Sequence, residues 1–420
     1  MTIFIKGQKA MVCDLHIHSR FSRACSKQLN IENLEKWGRI KGLDVLGTGD
    51  FSHPQWLEEL KRELIDEGSG IFKTKTGFRF VLSWEVSLIY TQDYGRKVHL
   101  VVLAPDFEAV DKINSWLDTR GRRDYDGRPI FKISCEDFVA KMKLIDEKIE
   151  VIPAHIWTSY FGVFGSASGF DSLKEAFGSQ DKNISGIETG ISSDISMNSK
   201  IDELKGKSIL SFSDSHSFWP WRLGREATIF KEFESYDELL RQIRENDIIG
   251  TIEVAPEYGK YHFDGHRNCG FSCSPEKTKE LNGLCPRCGK PLTIGVDYRV
   301  QELSENSEGF SSDKVELKLL PLHEIISLYL GKGINTKGVW NIYNELIKNF
   351  KNEFEILLNV SSDDLKKVIN NDLVDLILKN RQGKIRVKPG YDGEYGEVLL
   401  DNKDIIGEKI DEEEKQSTLK

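Results

Sequence analysis

Histidines and carboxylates recur at the ends of apolar runs in the first 230 residues of this 420-residue chain. Met11–Leu15 leads into His16 and His18, Val45–Thr48 into Asp50, and Phe80–Leu82 into Glu85. Val151–Ala154 leads into His155, and Ile209–Phe212 into Asp214 and His216. His16 and His18 stand two apart, as do Asp214 and His216, so on extended backbone each pair shares one face. Imidazole suits Zn, Mn and Fe, whereas carboxylates suit harder ions. Glu85 has two oxygens and can bridge two ions, which an imidazole cannot. Paired divalent ions activate water and stabilise both oxygens of an in-line phosphoryl displacement, so the chemistry indicated is phosphoester hydrolysis. His99 departs from the pattern because it lies early in its run, VHLVVLAP. It joins the others only if its strand enters from an unusual direction or begins after it.

Two further residues are candidates for the chemistry itself. Arg225, after the last ligand motif, is read either as a holder of a phosphate oxygen or as an ion pair with Glu226. Asp194, in ETGISSDISMN, is read either as a base close to the phosphate or as a helix cap. Any one strand-end histidine or aspartate is usually an ordinary satisfied polar residue. The ordered series is what argues for a site.

A second constellation lies downstream. Cys269 and Cys273, then Cys285 and Cys288 in CPRCG, form two close pairs separated by eleven residues. Four thiolates in two pairs suit a closed, structural tetrahedral Zn. His262 and His266 precede them and read better as surface residues than as ligands.

These residues need elements to position them. Strand-type runs alternate with amphipathic segments at Asn33–Lys41, Gln55–Ile65, Cys135–Leu144 and Tyr236–Asn246, the pattern of βα units around a sheet or barrel whose strand ends share one mouth. The basic stretch Arg120–Ile130 and the Gly/aromatic stretch Phe161–Phe170 interrupt it and read as loops. After a polar linker at Ser304–Asp313, helical spacing returns at Leu319–Leu330, Val339–Phe350, Glu353–Leu358 and Asp363–Leu378. Gly383–Leu400 reads as a hairpin.

Composition sets outer limits. Apolar residues make up 39% and charged residues 30%, as in a globular protein with a real core. No apolar stretch is long enough to span a bilayer, and no leader is evident, so the expected location is the cytoplasm, with no membrane partner. Seven cysteines are too few for a disulfide scaffold in a chain of this length. The net charge of −9 stands against a nucleic-acid partner, although the acidic tail Asp411–Glu414 and a metal site account for part of it.

DLHIHS, TGD, WE, PAH and SDSH occur in this order, and the region of roughly residues 11–230 resembles a PHP (polymerase and histidinol phosphatase) domain. The resemblance implies a distorted (βα)7 barrel in an α/β fold. It also implies two or three divalent ions (Zn, Mn or Mg) held by His16, His18, Asp50, Glu85, His99, His155, Asp214 and His216. Asp50 stands where many members carry a histidine. A further histidine often follows HxH, but Phe21, Ser22 and Ala24 stand there instead, so the ligands of a third ion are incomplete.

A simple phosphatase needs neither a ribbon nor a helical extension. With GIETGISSDISMN, CPRCGK, LPLHEII and KPGYDGEYG added, the chain resembles the endonuclease Q-type DNA-repair nucleases of archaea and some bacteria. That resemblance implies a PHP domain over 1–255, a zinc ribbon with one structural Zn over 256–303, and a helical DNA-binding domain over 304–420. It implies a metal-dependent endonuclease cutting 5′ of uracil, hypoxanthine, xanthine or abasic sites in DNA, leaving 3′-hydroxyl and 5′-phosphate ends. A sliding clamp is a further candidate partner. Trp157, Phe161 and Trp219 are candidate walls for a flipped base. A phosphoesterase of small phosphate esters and a catalytically silent binding protein are the competing readings.

Overall fold

The computed structural model describes residues 3–5 and 7–399; the acidic run Asp411–Glu414 lies outside them. Its frame is a curled mixed sheet. In spatial order the strands are Val315–Lys318, Gly250–Glu253, Ala227–Lys231, Gln8–Asp14, Val45–Gly47, Arg79–Gln92, Tyr94–Ala104 and Glu150–Pro153. Val45–Gly47 runs parallel to both its neighbours, and Gly250–Glu253 runs parallel to Val315–Lys318. The other pairs on this path are antiparallel. A separate parallel pair, Gly186–Glu188 with Ser208–Leu210, stands between the two ends of the curl. Ile156 N donates to Glu188 O on one side, and Ser211 N donates to Thr228 Oγ1 on the other, both at 2.9 Å.

One departure from the expected alternation matters for the site. Between Arg79 and Ala104 the chain makes a long hairpin with no helix between its strands. Asp93 sits in the turn at φ 62°, a left-handed conformation that a short polar side chain tolerates better than most. Along the strands, alternate residues fall into two apolar clusters: Met11, Cys13, Val81, Val101 and Leu103 in one, Val12, Phe80, Leu82, Leu100 and Val102 in the other. The period of two gives each strand two buried faces, so polar residues are confined to the strand ends and the outer part of the hairpin.

The predicted helices form with local causes visible at their ends. Asn30 caps Ile31–Lys41 by accepting from Asn33 N, and Gly42 ends it at φ 97°. Ser134 and Ser235 cap Cys135–Ile145 and Tyr236–Arg244 in the same way. The expected helix Asp363–Leu378 is instead two, Ser362–Leu365 and Asn371–Arg381, because the Asn370 side chain caps the second by accepting from Leu373 N. The helical C-terminal region is also preceded by a strand of the main sheet, Val315–Lys318, beyond the linker. No helix among the described residues is long and apolar enough to cross a membrane.

A buried ion pair ties this helical region to the sheet's helices. Lys41 Nζ, at the end of Ile31–Lys41, lies 2.7 Å from Glu353 Oε1, and both side chains are almost wholly buried. Lys41 also donates to Pro220 O, while Glu353 accepts from Leu322 N and Tyr343 OH. Removing one partner of such a pair leaves the other charged and dry. Lys41→Met should therefore cost about 3–5 kcal/mol in urea unfolding, far more than substitution of a surface lysine.

Candidate metal centre

The hairpin explains how His99, early in its strand, reaches the other ligands. Glu85 pairs with Val101 and Ser87 with His99 in antiparallel register, so Glu85 and His99 are diagonal neighbours on one face. The second strand runs back towards the first, and its early part therefore lies at the mouth. His16 and His18 follow Gln8–Asp14 directly, and His18 N donates to Ser215 O at 2.9 Å, which sets HxH beside SDSH.

Two groups of ligand atoms result. His16, His18, Glu85 and Asp214 each offer an atom within 4.8 Å of the others, and so do Glu85, His99 and His155. Glu85 belongs to both. Its Oε2 lies 3.2 Å from His18 Nε2 and 3.5 Å from His16 Nε2. Its Oε1 lies 2.8 Å from His99 Nδ1 and 3.2 Å from His155 Nε2. Glu188 braces both groups: one oxygen is 2.8 Å from His16 Nδ1, and the other accepts from His155 N at 2.6 Å. With Nδ1 engaged, His16 points Nε2 into the cluster, where that nitrogen is buried and has no hydrogen-bond partner among the described residues. Asp50, His155 and Asp214 all have positive φ, at 48°, 31° and 46°, strained backbone that the surrounding contacts must hold.

The protonation pattern is that of a site built around positive charge. Burial opposes charge on every member. Even so, Arg128 and the histidines hold the Glu85 carboxyl well below the usual range, and His16 and His18 do the same for Asp214. Against burial, Glu188, Glu85 and Asp214 push His16 well up, and Asp50 and Asp214 do so for His18. Burial lowers His99 to about 4.

A cavity of about 340 Å³ opens beside these groups. His99, His155 and Asp214 line it together with Arg128, Arg225, Phe161, Lys260, Tyr261 and Tyr395. Phe161 stacks on His99 with ring centroids 4.2 Å apart. Tyr395 comes from the turn of the hairpin Arg386–Lys388/Glu397–Leu399, and Lys260 sits 4.6 Å from its ring centroid. Arg225 keeps Nε and Nη1 buried without hydrogen-bond partners among the described residues, while its guanidinium lies close enough to Glu226 and Tyr395 to hold both below where burial alone would put them.

Several expected site residues sit elsewhere. Asp50 is in neither ligand group; its Oδ1 lies 3.0 Å from His18 Nδ1 and orients that ring. His216 packs its ring 4.3 Å from that of His18 but is likewise outside both groups. Asp194 caps Ile195–Asn198 through Met197 N and pairs with Lys318 Nζ at 2.6 Å, so both oxygens are engaged away from the cavity. Trp157 is buried, donates to Asn198 Oδ1 and does not line the cavity. Trp219 lines a different cleft, with Trp37 and Trp340.

In the cysteine module, His266, Cys269, Cys285 and Cys288 come together, with His266 Nδ1 3.4 Å from Cys288 Sγ. Cys273 lies outside the group, 3.3 Å from Thr278 Oγ1. The strand pairing accounts for this: Cys273 is opposite Asp264, which places it two registers away from His266. Sequence reasoning passed over Arg128, set aside in a stretch taken for a surface loop. It also passed over Glu188, which ends an apolar run as the ligands do, and over Lys260 and Tyr395, which carry no local signal.

Comparisons with known proteins cover different extents of the chain. Residues 321–384 match the family described as MJ0043 C-terminal domain. Protein MJ0043 of Methanocaldococcus jannaschii is 36% identical over 252 residues, which is 58% of this chain but 30% of that protein, so the chain spans under a third of its length. YqxK of Bacillus subtilis is 27% identical over 412 residues, 93% of this chain and 99% of that one. Among solved structures, the lesion-specific endonuclease PfuEndoQ of Pyrococcus furiosus superposes with a TM-score of 0.83 at 29% identity, over 97% of this chain and 99% of that one. A complex of endonuclease Q with a 27-mer duplex carrying an abasic lesion at its active site gives 0.85 at 29% identity, over 96% and 99%.

Behind the ligands lies a pair of buried carboxyls. Burial, more than any neighbour, raises Glu226 to about 8, and it accepts from Val254 N and Ser211 Oγ. Burial and then the nearness of Glu226 raise Glu253 well above its ordinary 4.5, and neither of its oxygens has a partner among the described residues. Carboxyls raised on folding add stability that is full below their unfolded value and lost as pH rises through the folded one. Glu253→Gln should accordingly raise the melting temperature at pH 8 and above and leave it unchanged below 4.5, read by calorimetry across that range.

Proposed function

We propose that this chain, similar over nearly its whole length to solved endonuclease Q structures, is a metal-dependent DNA-repair endonuclease. In this reading it hydrolyses the phosphodiester 5′ of uracil, hypoxanthine or xanthine and of abasic sites, leaving 3′-hydroxyl and 5′-phosphate ends. The observation that carries the reading is one buried carboxylate shared by two ligand groups at the wall of a cavity lined with cations and aromatic rings. Near-complete likeness to an endonuclease Q bound to abasic duplex supports the substrate class.

We read residues 1–255 as a PHP-type domain, 256–303 as a zinc ribbon and 304–420 as the helical DNA-binding part. Divalent ions fit the residues present. His16 Nε2 is orphaned and buried, and the two oxygens of Glu85 face different histidine pairs. When bound, the ions supply an activated water and a counter-charge for the phosphoryl oxygens. The chain does the rest. Glu188 fixes the ring of His16 and the backbone of His155, so both groups keep their spacing. Arg225, on the cavity wall, supplies positive charge to a phosphate oxygen. Phe161, Tyr261 and Tyr395 give an extruded nucleotide an aromatic-lined cavity, and unstacking costs least where the pair is damaged or the base absent. The net charge of −9 means that DNA affinity rests on local cations, so binding should weaken steeply with salt.

The test uses end-labelled duplexes containing uracil, hypoxanthine, an abasic site or no lesion, with Mg²⁺ or Mn²⁺. Cutting should occur at the lesions alone, and His18→Ala or Asp214→Ala should abolish it while DNA binding stays largely intact. Lesion-independent cutting, or turnover of small phosphomonoesters without DNA binding, overturns the reading. For the ribbon, His266→Ala should release zinc measured by a chromogenic chelator, whereas Cys273→Ser should retain it.

A further inference from the structure

Tryptophans from the first helix, from the run Phe218–Trp221 and from the C-terminal helices meet in a second cleft, separate from the cavity at the centre. Trp37, Trp219 and Trp340 stand with ring centroids 5.3–5.8 Å apart and planes inclined at 57–64°, three walls of a box. The space between them measures about 430 Å³, with Lys36, Asn335 and Asn344 at its rim. The walls are held from behind. Trp340 packs on His323 at 4.3 Å and on Trp221 at 5.8 Å, and Trp221 stacks on Trp219 at 5.5 Å. Trp37 shares a helix with Lys41, whose buried pair with Glu353 fixes that helix to the C-terminal region. The front is open: Lys36, Asn335 and Asn344 are exposed, and Trp219 and Trp340 are half-buried. Indoles that served packing alone would close on one another and leave no such space.

We propose that this cleft receives a second nucleobase of the same duplex, unstacked within about three steps of the nucleotide that enters the cavity. The chemistry of the lining selects that occupant. Indole faces stack on any base, each such contact adding roughly ten-fold in affinity. The two carboxamides carry donors and acceptors that match a base edge, whereas against an apolar peptide they would lose water without return. A cationic ligand is disfavoured, because the Lys36 ammonium already lies 5.6 Å from the Trp37 ring centroid. That ammonium, with the exposed Lys332 and Lys337 of the loop that carries Asn335, meets the phosphates beside such a base. Position agrees with composition. Trp219 is three residues beyond His216, whose ring packs on that of His18 at the centre. Their Cα atoms are therefore no more than about 11 Å apart, close to three base steps of roughly 3.4 Å each.

The cleft can act in this way only if the chain binds lesion-bearing duplex, the reading proposed above, and the outcomes keep the two apart. On the full chain, with Ca²⁺ replacing Mg²⁺ so that the strand is held and not cut, 5-iodocytosine is placed in turn at each position within about three steps of an abasic site, on both strands. Near-ultraviolet light links it to an aromatic ring on which it stacks, and mass spectrometry of the peptides locates the link. One position should link to Trp37, Trp219 or Trp340. Affinity is then measured by fluorescence anisotropy with that base present and with it omitted. Omission should weaken wild-type binding roughly ten-fold; Trp219→Leu should bind the complete duplex roughly ten-fold more weakly and lose nothing further on omission. Asn344→Ala, at the exposed rim where folding is not at stake, should show the same base-dependent loss at a smaller factor. Links to none of the three rings, or a Trp219→Leu defect that stays undiminished when the base is omitted, overturns the cleft's role and leaves the endonuclease reading standing. A dimer that Trp219→Leu returns to monomer, with no such links, makes the cleft a face between copies and overturns it too. Failure of the wild type to bind the lesion-bearing duplex overturns both.

Discussion

Glu85 holds a negative charge where no water reaches it, and much of the surrounding structure follows from that. A carboxylate in such a place is tolerable only if cations or strong donors meet both of its oxygens. Four histidines and Arg128 do so, arriving on four separate segments, with His16 and His18 sharing one. The curl of the sheet, the long hairpin that carries Glu85 and His99 together, and the bracing of His16 and His155 by Glu188 are the means of bringing them there. The nearness of these acidic groups raises both His16 and His18 against burial.

Around that centre the parts are locked together. The Lys41–Glu353 pair fastens the helical region to the first helix of the barrel-like frame, and the strand Val315–Lys318 completes one edge of the sheet. The C-terminal hairpin then contributes Tyr395 to the cavity wall. The division into successive modules that composition suggests is thus crossed three times, by an ion pair, by a strand and by a side chain. The cavity has no complete wall within any one module.

The sequence revealed the ligand series because metal chemistry restricts residue types and because strand ends are where polar residues can emerge from two apolar faces. His16, His18, Glu85, His99, His155 and Asp214 could be read that way. Asp50 and His216 share the type and spacing of the others but lie outside both groups, Asp50 with its Oδ1 turned onto His18 Nδ1. Arg128 and Tyr395 were illegible because their role depends on contacts across long stretches of chain. His266 carries no such signal, because its place beside Cys269, Cys285 and Cys288 depends on the antiparallel register of its strand. The helical spacing of the C-terminal region was legible, but its break at Asn370 required knowing that the side chain caps the next turn.

The cavity also bears on how the molecule acquires its function. Its lining joins His99, His155, Asp214 and Tyr395, residues far apart along the chain. Contacts of such separation carry a heavy loop-closure entropy and form late in folding, after the local helices and the hairpin. The cavity would then be assembled last. For the same reason recovery from denaturation should be slow, governed by topology and not by the strength of any one contact.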